Sequence, residues 1–89
     1  MNYMTYDDLI DDFAASIKNK IREREDRYGS DWKTDSVAKL FDHLINEYSE
    51  AIDELKDSNY KELSEEMIDV AACAMLVWNA AWRDMERGT

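Results

Sequence analysis

Eighty-nine residues make one small domain, residues 1–89, at a length where a single core only just suffices. Hydrophobic residues form 45% of the chain and include three Trp, five Tyr and two Phe, which argues against disorder. Twenty-one acidic against eleven basic residues give a net charge of −10, a surface that repels nucleic acid and anionic lipid and argues against direct binding to a phosphate backbone. The same charge repels a nucleotide, unless a divalent cation comes with it.

Chain breakers are scarce: there is no Pro, and Gly29 and Gly88 are the two glycines. Long helices are favoured over a many-turned sheet, so the expected fold is all-α. The N-terminal MNYMTYDD has acids where a secretory signal has basic and then apolar residues. The apolar run 70–78 is nine residues, about half the ~20 needed to cross a bilayer. Cys73, the single cysteine, cannot form an internal disulfide. Together these features predict a cytoplasmic protein with no membrane and no nucleic acid as partner.

Three helices are expected in chain order. The first begins near Thr5, where T-Y-D-D has the form of a capping box with Asp8 in the reciprocal position. Tyr6, Leu9, Ile10, Phe13, Ile17 and Ile21 then recur at spacings of three and four as one apolar stripe. Residues 18–27 are of mixed charge and read as a solvated face, and Gly29 after Tyr28 is a natural stop.

Residues 29–35 (GSDWKTD) form a loop that holds Trp32, and Thr34 or Asp35 can cap the second helix. Val37, Leu40, Phe41, Leu44, Ile45, Tyr48, Ala51, Ile52 and Leu55 give that helix a wide apolar stripe. Residues 56–59 (KDSN) read as a tight connection, which makes helices two and three antiparallel neighbours. The third helix is expected from about Asn59 to Arg87; beyond its polar first two turns it is apolar on every side, and Trp78 reads as core. It would be on the order of 40 Å long against a domain of roughly 30 Å, too much for two partner helices to wrap. A homodimer or homotetramer completing a four-helix-type bundle is expected.

Carboxylates carry the chemistry. Glu47 and Glu50 are three apart on helix two, and Glu66 and Asp69 repeat that spacing on helix three. Glu47 lies ten residues before Asp57 and Asp69 twelve beyond it, so the two pairs stand at matching heights above the turn. Two like charges about 6 Å apart repel by about 3 kcal/mol at an effective dielectric of 20. Asp69, at the head of an apolar run, needs a partner in any case. An all-oxygen donor set suits Mg²⁺ or Mn²⁺. A di-iron carboxylate site would need two Glu-x-x-His motifs, and the one histidine, His43, is in none.

E47-Y-S-E50, fifteen residues, then E66-M-I-D69 resembles the ExxE…ExxD signature of MazG-like all-α nucleoside triphosphate pyrophosphohydrolases. The likeness covers about residues 32–82; D31-W32 followed by Leu40, Leu44 and Ile45 is similar to a lead-in those proteins often have. The family's Pro is missing there, and Asn46 stands where many members carry a further Glu. The resemblance implies that Glu47, Glu50, Glu66 and Asp69 hold Mg²⁺. It implies hydrolysis of a nucleoside triphosphate at the α–β linkage to monophosphate and pyrophosphate, with Glu50 orienting the attacking water. Lys61 and Arg83 are candidates to touch phosphates, and Trp32 and Asn79 to meet the base. A competing reading is a non-catalytic acidic helical module or nucleic-acid mimic, suggested by the acids spread along the first helix.

Overall fold

A computed structural model describes residues 2–25, 29 and 31–88, without the side chain of Asp31. Among them are three α-helices, α1 (Tyr6–Glu23), α2 (Val37–Lys56) and α3 (Tyr60–Glu86), a 3₁₀ turn (Asp31–Lys33) and no strand. The all-α expectation holds. No helix among these residues is long and apolar enough to cross a membrane.

Each helix start has a local cause. Thr5 caps α1, its hydroxyl accepting the Asp8 N–H at 3.1 Å. Ser36, rather than Thr34 or Asp35, caps α2 by accepting the Lys39 N–H at 3.1 Å. Asp35 instead pairs with the Lys39 ammonium at 3.2 Å, so the run T-D-S offered three caps and the last one serves. Helix α1 ends at Glu23, ahead of Gly29; Tyr28, placed just before the expected stop, lies outside the described residues.

The α2–α3 connection closes as a Schellman motif. The Asn59 N–H reaches back to the Glu54 carbonyl and the Ser58 N–H to that of Leu55, with Ser58 left-handed at φ 54°. This tight reversal lays α2 and α3 antiparallel as the principal packing pair, while α1 and the 3₁₀ turn pack on α3.

The contact between α2 and α3 is narrow and made of small residues. Ala51, Ala72, Cys73 and Ala80 are buried with Leu40 and Leu76, and Trp32, Val37 and Val77 close over Leu40, Leu76 and Ala80. Small side chains let two helices approach closely. They also leave the larger apolar residues outside.

The wide stripe of α2 is therefore split. Leu40, Glu47 and Ala51 face α3, whereas Phe41, Ile45, Tyr48 and Leu55 are exposed. On α3 the line Met75, Trp78, Trp82 and Met85 is likewise exposed, and Trp78, expected in the core, is 64% accessible. On α1 no residue is fully buried: Tyr6, Leu9, Ile10 and Phe13 lie open, while Ile17 and Ile21 are half-covered. A cleft of about 480 Å³ separates Leu9 and Phe13 from Met67 and Ile68 of α3. The apolar patterning is correct for helices, but this chain by itself covers only part of it.

Candidate metal centre

Helical pitch and the short reversal bring three of the four expected carboxylates together. Glu47 on α2 and Glu66 and Asp69 on α3 each offer an oxygen atom within 4.8 Å of the other two. Glu47 and Asp69 are each only 3% accessible. Glu50, one turn after Glu47, is exposed and lies outside this trio, although it still bears on Glu66.

The trio is electrostatically strained. Burial pushes the Glu66 carboxyl up to about 8, and hydrogen bonding to and repulsion from Glu47, then from Glu50, push the same way. Glu66 Oε1 and Asp69 Oδ1 are buried without a hydrogen-bond partner. A buried acceptor left unsatisfied costs about 1–3 kcal/mol, more when it is charged.

Asp69 also meets two cations from the C-terminal end of α1, Lys20 in its last turn and Arg24 at its C-cap. Lys20 Nζ lies 3.9 Å and Arg24 Nη1 3.8 Å from Asp69 Oδ1. These residues sit in the stretch read as a solvated face. The signal was present all the same: Phe13, Ile17, Lys20 and Arg24 follow one another at helical spacing, so the two cations continue the apolar stripe toward α3.

The donor set fits a hard divalent ion. It is all oxygen, it spans two helices, and two of its buried oxygens, Glu66 Oε1 and Asp69 Oδ1, accept no hydrogen bond. Cys73 is buried near Leu76 in the α2–α3 contact, and His43 lies beside Glu47 along a small cleft bounded by Trp32, Leu40 and Leu76.

The four candidate substrate residues are placed differently. Trp32 stands between that small cleft and a larger one of about 460 Å³, whose wall also includes Ile21, Met75, Trp78 and Asn79. Trp32 and Asn79 thus share an apolar cleft within the size range of small-ligand pockets. Arg83 is engaged with the main chain: its guanidinium donates to the Lys33 carbonyl at 2.7 Å and the Asp35 carbonyl at 2.8 Å, and Nε to Asp84 at 3.2 Å. It fastens the Trp32 segment to α3. Lys61 is exposed in the first turn of α3, about 12 Å along the axis from Asp69 at the helical rise.

Comparison of the chain with protein-family models, with curated proteins and with solved structures finds no match.

Proposed function

We propose that this chain is a Mg²⁺-dependent nucleoside triphosphate pyrophosphohydrolase, with Mn²⁺ able to replace Mg²⁺, that works as a homo-oligomer. The observation that carries the reading is the convergence of Glu47, Glu66 and Asp69, with two buried oxygens left without hydrogen bonds. Gathering three carboxylates carries a cost that a bound cation offsets.

In this reading Glu47, Glu66 and Asp69 are the inner ligands, and Glu50, the exposed neighbour of Glu66, completes the set from the solvent side. When bound, Mg²⁺ would neutralise phosphate charge and lower the pKa of a water. Glu50 faces solvent and is free to accept a proton from that water and orient it toward the α-phosphorus. Attack breaks the bond from the α-phosphorus to the α–β bridging oxygen, which leaves with pyrophosphate; the nucleoside monophosphate keeps the new oxygen. Trp32 offers a stacking face and Asn79 a hydrogen-bonding edge for the base. Arg83 serves by holding the Trp32 segment in place.

The exposed lines Phe41, Ile45, Tyr48 and Met75, Trp78, Trp82 support assembly. Apolar surface of this kind on two faces of one small domain marks a protein interface, and a second copy of the helices would complete a four-helix-type bundle.

The test is a screen of pyrophosphate release over the common nucleoside triphosphates with Mg²⁺. Glu47→Gln and Asp69→Asn should each abolish turnover while the helical circular dichroism persists. Wild-type rates in both variants would remove the site. An acidic interaction module, by contrast, would show no saturable Mg²⁺ binding at these residues.

A further inference from the structure

Asp69 is held in an unusual manner. Its buried Oδ1 accepts no hydrogen bond, yet two cations, Lys20 in the last turn of α1 and Arg24 at its C-cap, stand 3.8–3.9 Å from that same atom. A committed buried ion pair closes to about 2.7–2.9 Å, with an Arg often gripping both carboxylate oxygens. Neither the Lys20 nor the Arg24 side chain has another hydrogen-bond or ion-pair partner among the described residues. Their donors point at the site without being consumed by it.

Charge complementarity indicates what they are for. Three carboxylates against these two cations leave the site with one negative charge when all are ionised. A divalent ion makes this inner site one unit positive, or neutral once Glu50 joins as the outer ligand, and in either case Lys20 and Arg24 are no longer needed to balance Asp69. This cationic pair lies at the C-terminal end of α1, whereas the ligand Glu47 lies on α2. An anion that follows the metal into the site meets the pair there.

We propose that Lys20 and Arg24 are a phosphate-chain subsite: they hold Asp69 in the metal-free protein and, once a divalent ion takes Asp69, bind the oxygens of two or more linked phosphates. The inference rests on the trio being a divalent-cation site and deepens that reading. It assigns recognition of the phosphate chain to α1, a helix that contributes none of the carboxylates. A guanidinium one turn from an ammonium presents a fork and a point charge to adjacent phosphoryl groups.

The test uses the full chain, with Mg²⁺ alone and Mg²⁺ with inorganic pyrophosphate as calorimetric titrants. The pair is compared as wild type, Lys20→Gln/Arg24→Gln, and the charge-preserving Lys20→Arg/Arg24→Lys. The glutamine variant should bind Mg²⁺ severalfold more tightly, because two competing positive charges are gone. It should bind pyrophosphate at least about tenfold more weakly, through loss of charge-assisted hydrogen bonds. The charge-preserving variant should stay near wild type in both. A purely structural role would move both affinities the same way; that outcome, or unchanged pyrophosphate affinity in the glutamine variant, overturns the proposal. If wild type itself shows no saturable Mg²⁺ site, the metal reading fails and this one with it. That result is distinct from a wild type that binds Mg²⁺ and a glutamine variant that does not differ from it.

Discussion

Glu47 of α2 and Asp69 of α3, each almost wholly buried, bring carboxylate oxygens within 4.8 Å of each other across the helix pair. Glu47 acts as a like charge toward Glu66, and the tight 57–59 reversal fixes the register that sets Glu47 and Asp69 opposite each other. A packed helix pair built only for stability would place alanine or leucine there. The consequences can be measured.

The first concerns pH. Glu66 has a carboxyl raised from 4.5 to about 8, so the folded chain holds a proton that the unfolded chain releases more readily. Metal-free stability is therefore greatest below about pH 4.5 as far as this group is concerned, and is lost as pH rises through about 8. Glu66→Gln should remove the loss: in a chelator its melting temperature should exceed wild type at pH 9 and match it near pH 5. Parallel melting curves for the two proteins at every pH would contradict this.

Metal binding should expel that proton. At pH 7 the Glu66 carboxyl is mostly protonated, and a ligand carboxylate must be ionised. Calorimetric Mg²⁺ titrations in two buffers of different ionisation enthalpy should report release of about one proton per ion at pH 7, falling toward zero above pH 9.

Ser58 carries the left-handed position of the α2–α3 turn at φ 54°, a conformation that favours glycine. Ser58→Gly should stabilise the fold by up to about 1 kcal/mol, read from chemical denaturation, without changing metal affinity. The substitution lies at the turn, away from the carboxylates.

Arg83 ties the Trp32 segment to α3 through two carbonyls. Arg83→Met should cost about 1–2 kcal/mol of stability, the lower range for hydrogen bonds to a charged group, and should alter Trp fluorescence. If the Trp32 cleft receives the base, KM for the nucleotide rises more than kcat falls. Arg83→Lys should recover only part, since an ammonium cannot span both carbonyls as a planar fork does.

Much of this architecture was legible in the residues. Two i, i+3 acid pairs on either side of a breaker-poor turn could meet in few ways, so Glu47, Glu66 and Asp69 were traceable before any coordinates. The apolar stripe of α2 also puts Glu47 at its border and Glu50 further toward solvent, as found, but it does not say that Glu50 stands outside the buried trio. Lys20 and Arg24 escaped notice because their partner is more than forty residues away and their neighbours are charged. The exposure of Trp78 reflects a similar limit: periodicity identifies an apolar face, but not whether this chain or another covers it. The cap fell at Ser36 rather than at the expected Thr34 or Asp35 for a local reason, since all three side chains offer an oxygen that can accept the capping bond.

The most direct measurement is a titration of the metal-free protein with Mn²⁺, read by electron paramagnetic resonance, in wild type, Glu47→Gln and Asp69→Asn. Saturable binding in wild type that weakens by at least about tenfold in each variant is the expected result, since each removes a charged inner ligand. Wild-type Mn²⁺ binding that is absent, or that persists unchanged in both variants, would contradict the metal centre and the hydrolytic function built on it.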